Sequence, residues 1–148
     1  DFELTVRVRR EDRADAESDV TIAFGFQNRV KFYYTHLSRD TGDHAVHNGI
    51  FRVNEADRER IAGKGSAPAL PDTGWHRIRV VRETASGRIA VYVDQDPNPR
   101  FQVVDRTHAF GLVGLGSFDN KAEFADFRLE GTPARGCPAG IEPVEHRP

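Results

Sequence analysis

Methionine is absent from this sequence, cysteine and tryptophan occur once each, and lysine stands only at positions 31, 64 and 121. Each scarcity excludes something. A single thiol, Cys137, closes no internal disulfide, so the 148 residues rely on packing, and that length suffices for a sizeable core. No apolar run is long enough to cross a bilayer, and no signal-peptide pattern opens the chain. A formal net charge of −2 leaves no excess of positive charge with which to neutralise phosphates, which excludes a general nucleic-acid binder. With lysine so rare, the cations are nearly all arginine, whose forked donors suit carboxylates, sulfates and sugar hydroxyls. The lack of methionine, with a first residue already inside a strand pattern, leads us to expect a piece of a longer polypeptide.

What the sequence has in quantity is alternation. In Trp75–Asp94, Ile78 and Val80 alternate with Arg77 and Arg79, a polar knuckle follows at 83–87, and Ile89, Val91 and Val93 then alternate with Arg88, Ala90 and Tyr92. Period two on both sides of a Gly-containing connection predicts two paired antiparallel strands, each with one buried face. Phe2, Leu4, Val6 and Val8 form another such face, and Val20, Ile22, Phe24 and Phe26 a third. Val30, Phe32, Tyr34 and His36 continue that third face. A three-residue loop at Gln27-Asn28-Arg29 sets Phe24 beside Phe32 and Ile22 beside Tyr34, so this register is expected.

Short strands are further expected at 50–53, 101–104, 112–118 and 122–130. The small residues of Leu112–Phe118 permit a neighbour or a ligand to approach closely. Asn54 reads as an N-cap for a helical turn over 55–61. Many short strands and almost no helix predict an all-β antiparallel sandwich of the jelly-roll kind over 1–131. The Pro- and Gly-rich stretch 132–148 reads as a tail or linker to further domains.

WHRIRVVR, GRIAVYVD, FGLVGLGSFDN and EFADFRLEG, in that order, resemble the closing half of the concanavalin A-like lectin/glucanase superfamily. More narrowly they are similar to laminin-G-like bacterial domains and to the 3-keto-disaccharide hydrolase domain, with Trp75, Gly87, Asp94, Gly111, Gly114 and Asp126 as landmarks. DFELTVRVR resembles the strand after the first hairpin of that last group, which implies one or two strands before Asp1. The resemblance also implies a structural calcium between first and last strands, with Asp126 and Asp119 as ligands, and a secreted, periplasmic or cell-surface bacterial setting.

Sugar recognition needs an aromatic ring against the apolar face of a pyranose and planar polar groups at its hydroxyls. The expected register turns Lys31, Tyr33 and Thr35 away from the core, and alternation does the same for Arg77, Arg79 and Tyr92. These six are the expected ligand-binding residues. The loop carrying Asp40, Asp43, His44, His47 and Asn48, close in sequence to His36, is the densest set of possible ligands. Its carboxylates suit calcium, and its histidines suit zinc or acid–base work. Glu55-Ala56-Asp57-Arg58-Glu59 imitates a jelly-roll glucanase signature, but Arg58 stands where a buried residue is needed.

The expectation is therefore a non-catalytic module that binds a poly- or oligosaccharide, without a cofactor beyond the structural calcium. One alternative is a glycoside hydrolase of the 3-keto-disaccharide type using His36, Asp43 and His44. Another is a structural or protein-contact sandwich.

Overall fold

A computed structural model describes residues 1–11, 18–118 and 120–134. Its strands, in chain order, are β1 (Phe2–Arg10), β2 (Asp19–Asn28), β3 (Lys31–Ser38), β4 (Gly49–Asn54) and β5 (Glu59–Ala62). They continue with β6 (His76–Glu83), β7 (Arg88–Val93), β8 (Phe101–Val104), β9 (Leu112–Gly116) and β10 (Ala122–Gly131). Two five-stranded sheets result, ordered β10-β1-β6-β7-β8 and β5-β4-β3-β2-β9, with every pairing antiparallel. The chain folds as an antiparallel β-sandwich.

In the first sheet the alternating pattern lines up across strands. Leu4 lies opposite Val80 and Val80 opposite Val91, while Val6, Ile78 and Val93 form the next row. These rows are buried against Val20, Ile22, Phe24, Tyr33, Leu37 and Ile50 of the second sheet. Each such side chain contributes about 1.5–3 kcal/mol on leaving water. Leu70, from the connection between β5 and β6, closes one end, where its N–H donates to Ser38 O at 3.0 Å and its carbonyl accepts from Arg10 Nε at 2.9 Å. Arg82 also points inward. Its guanidinium donates to Gly87 O at 2.8 Å, Asp105 O at 2.6 Å and His108 O at 2.9 Å, so this buried cation is paired with carbonyls and clamps three loop positions together.

Two expectations are corrected. The β2–β3 hairpin does not close on Gln27-Asn28-Arg29. Asn28 lies opposite Lys31 across the two-residue turn Arg29-Val30, and Asn28 Oδ1 accepts from Val30 N–H at 2.9 Å. Gly25, at φ +56°, then sits in a bulge that shifts the register, so Phe24 faces Tyr33 and Ile22 faces Thr35. A slip of one residue exchanges the faces of a strand. Tyr33 and Thr35 are consequently core residues, each with no exposure, and Phe32, Tyr34 and His36 occupy the outer face. The second correction concerns 55–61. Glu55 has φ +56°, and Glu59–Ala62 is a strand in which Glu59 lies opposite Arg52 and Arg60 opposite Phe51. Local capping preference yields here to ladder pairing and to the Arg52–Glu59 ion pair at 2.7 Å.

Candidate functional site

The outer face of the second sheet has two rows of side chains. One runs Gly116, Thr21, His36, Gly49 across β9, β2, β3 and β4; the next runs Gly114, Ala23, Tyr34, Phe51, Arg60 and reaches β5. Small residues thus occupy β9 and the adjoining part of β2, and rings rise on β3 and β4. A Cβ built on Gly116 meets no heavy atom within 4 Å, and one on Gly114 meets only the Ala23 methyl at 4.0 Å. The result is an open shelf with an aromatic wall.

The wall is made of Tyr34 stacked on Phe51 (4.9 Å, 5°), with Phe118 edge-on to Tyr34 at 5.6 Å. Phe118 follows β9, is anchored by its N–H on Asp19 Oδ1 at 3.1 Å, and leaves half of its ring exposed. Arg58 lies over that ring with Cζ 5.8 Å from the centroid. Two hydroxyls on this face, Thr21 Oγ1 and Tyr34 Oη, are shielded from water and lack a hydrogen bond of ordinary geometry. Burial pushes the Tyr34 phenol up, and the nearby Arg58 guanidinium opposes it by hydrogen bonding and by charge, so the hydroxyl stays protonated. Buried hydroxyls without partners are costly and rare in a folded chain. An exposed ring and a guanidinium beside an open shelf can hold a ligand with one apolar face and several hydroxyls.

At one end of the wall His36 is buried and held on both sides. Its Nδ1 accepts from Asn48 N–H at 3.1 Å, so the proton is on Nε2, which donates to Asp19 Oδ2 at 2.8 Å. His47 stacks on His36 (5.1 Å, 3°) and His44 on His47 (4.1 Å, 14°), while Asp40 Oδ2 lies 2.8 Å from His47 Nδ1. The Asp40 carboxyl is lowered from its ordinary value, first by that contact with His47. Asn48, at φ 47°, ties the loop together. Its Oδ1 accepts from Ser38 N–H at 2.9 Å, and its amide donates to Asp40 O.

No family model matches the chain, and no curated protein matches it. Among solved structures the fold is similar to the carbohydrate-binding module CBM66 from Bacillus subtilis, with a TM-score of 0.69. The two are 15% identical, and the likeness covers 88% of this chain and 75% of that one. At that identity the likeness is one of fold.

The structure scatters the residues expected to bind ligand. Tyr33 and Thr35 lie between the sheets, the Tyr33 hydroxyl donating to Asp105 and the Thr35 hydroxyl to Gly49 O at 3.0 Å, so the groove expected around Tyr33 does not exist. Lys31 sits at the strand end, 3.6 Å from Glu55. Arg77, Arg79 and Tyr92 are on the outer face of the other sheet. There Arg79 covers the Tyr92 ring at 4.0 Å, and Arg88 donates to the Tyr92 hydroxyl at 2.8 Å, so the ring is not free for stacking. The acid–base trio is not assembled either: His36 is walled in, whereas Asp43 and His44 are exposed on the loop and Asp43 bonds to Thr41 at 3.2 Å. Asp126 occupies a bulge at φ 53° and pairs with Arg7 at 3.0 Å. Glu3 pairs with Arg79, and Asp1 Oδ1 accepts from Thr84 N–H. Asp119, Cys137 and the tail beyond 134 lie outside the described residues.

The sequence reading missed Tyr34, Arg58 and Phe118. Gly114 and Gly116 were the available signal, because residues two apart in a strand share a face. An apolar cleft of about 420 Å³ opens elsewhere, beside Phe2, Phe24, Leu112, Val113 and Leu129. Its walls offer little to a polyhydroxylated ligand, since Arg82 at its edge is already engaged by three carbonyls.

Proposed function

We propose that this chain is a non-catalytic carbohydrate-binding module whose site is the outer shelf of the second sheet. The observation that carries the reading is the half-exposed Phe118 ring, with the Arg58 guanidinium over it, beside open space over Gly114 and Gly116. A sugar ring laid on the shelf meets the exposed face of Phe118, with the exposed Arg58 guanidinium taking a hydroxyl oxygen. The similar fold of a protein described as a carbohydrate-binding module supports the same reading. The proposed family is the concanavalin A-like superfamily, near its laminin-G-like members. The proposed setting is a secreted or surface-attached bacterial protein in which neighbouring domains process the glycan.

The test is binding to an array of poly- and oligosaccharides, followed by affinity measurement on any hit. Gly116→Leu is the decisive variant. The position has room for a side chain, so thermal stability is expected to stay near wild type while binding is lost. Phe118→Ala is expected to weaken binding by about tenfold, the loss of one ring contact. Absence of binding to every glycan, or undiminished binding by a folded Gly116→Leu protein, overturns the assignment.

A further inference from the structure

We propose that Asp40, His44 and His47 form a binding site for a divalent transition-metal ion of the zinc class. Their ligand atoms all lie within 4.8 Å of one another. A tetrahedral zinc with bonds near 2.0–2.1 Å requires its ligand atoms about 3.3 Å apart, so closure asks the stacked His44 ring (4.1 Å, 14°) to turn out of parallel with His47 and Asp40 to exchange its contact with His47 for the ion. The sequence supplies the donors on one short loop. The turn in which His47 N–H bonds to His44 O at 3.1 Å sets residues 44 and 47 side by side, and Asp40 arrives from the other arm to meet His47 Nδ1 at 2.8 Å.

The backbone beneath these side chains is fixed in advance. Arg60 Nη1 donates to the carbonyls of Gly42 at 2.7 Å, His44 at 2.9 Å and His47 at 3.2 Å. That cation is therefore turned to the carbonyl side of the loop. His47 rests on His36, which Asp19 and Asn48 hold. His44 is exposed and His47 and Asp40 are half-buried, so an ion has a path in from solvent.

Ligand chemistry selects the ion. Two imidazole nitrogens and one carboxylate favour zinc, nickel or copper, whereas calcium and magnesium require mostly oxygen. Three protein ligands leave the fourth position to water or to an oxygen of a bound molecule. The site adjoins the end of the shelf through His36 but uses none of the residues proposed to contact sugar, so its presence does not depend on sugar binding.

The experiment is calorimetric titration of the metal-free full chain with zinc chloride, with a parallel calcium arm, and absorption spectroscopy of the cobalt form to read the geometry. Saturable binding of one zinc ion per chain is expected, with no competition from calcium. His44→Ala, an exposed position that leaves the far-ultraviolet circular dichroism unchanged, is expected to abolish it. Asp40→Asn, which exchanges a charged carboxylate ligand for a neutral amide, is expected to weaken it severalfold or more. The double variant Cys137→Ser/His146→Ala is expected to bind as the wild type does. Three results overturn the proposal: no saturable zinc binding, wild-type binding by His44→Ala, or loss of binding in the Cys137→Ser/His146→Ala protein.

Discussion

At the scale of single residues, Asp105 shows how a partly buried charge is stabilised. Burial pushes its carboxyl up, but hydrogen bonds from the Tyr33 hydroxyl, from Thr107 and from Arg52 outweigh it and hold the group at about 2. Tyr33 responds in the opposite sense, its phenol raised first by burial and then by the same carboxylate. A carboxyl lowered on folding contributes stability that is complete above its unfolded value and is lost as pH falls through its folded value. The acid limb of the stability curve is therefore expected to lose about 2 kcal/mol between roughly pH 4 and pH 2 through this group. Denaturant titrations of Asp105→Asn across that range are expected to give a flatter limb, and an unchanged limb would remove Asp105 from the account. Tyr33 was legible in the sequence as a strand residue but not as a core residue. Its alternation partners fit either face, and nothing local announces the Asp105 carboxylate 72 positions away that receives its hydroxyl.

At the scale of elements, the decisive feature is one bulge. Gly25 has φ +56°, and a Cβ there would sit 3.1 Å from the Tyr33 ring. The segment leading into β9 crosses the same place: Gly111, at φ +150°, would put a Cβ 2.3 Å from the Gly25 carbonyl carbon and 2.4 Å from Phe26 N. Gly25→Ala is expected to cost about 1–2 kcal/mol, the penalty of a left-handed conformation with a neighbour that can give a little. Gly111→Ala is expected to cost more, because backbone cannot swing aside as a ring can. Thermal melts of the two proteins check the order, and an equal or reversed ranking would contradict the packing described. The hairpin β6–β7 was read directly from the sequence, since its alternation is strict and its connection short. The hairpin β2–β3 was not, because apolar residues stand on both faces of β3 and alternation cannot choose between registers that differ by one.

For the whole molecule, the sandwich leaves its two outer faces with different chemistry. The first sheet carries arginines matched to acids, as in Arg7–Asp126, Arg9–Glu123 and Arg79–Glu3, and these exposed pairs add little to stability. The second sheet carries rings, small residues and the histidine loop. Beside the first sheet, His76 sets Nδ1 2.9 Å from Asp94 and Nε2 2.7 Å from Asp72. Burial lowers its pKa, but the two carboxylates prevail and raise it overall. A raised histidine contributes stability that is present below its unfolded value near 6.5 and is lost as pH rises through its folded value. Wild-type melting temperature is therefore expected to decline from about pH 6.5 upward, and His76→Asn is expected to lose that dependence. A His76→Asn profile that parallels the wild type would show that the decline arises elsewhere.

By itself the sequence determined the class of the fold, most of the strands and the absence of an excess of charge that nucleic acid would require. Those properties follow from alternation and composition, which act within a few residues. Only the tertiary structure decided which face of β3 meets the core, because that choice is made by the Gly25 bulge packed against Gly111, far along the chain. The same choice turned Tyr34 and His36 outward, brought Phe118 across them and left two hydroxyls unsatisfied over a floor of glycine and alanine. Side-chain period marks the two faces of a strand as different, but contact with the opposing layer selects the buried one.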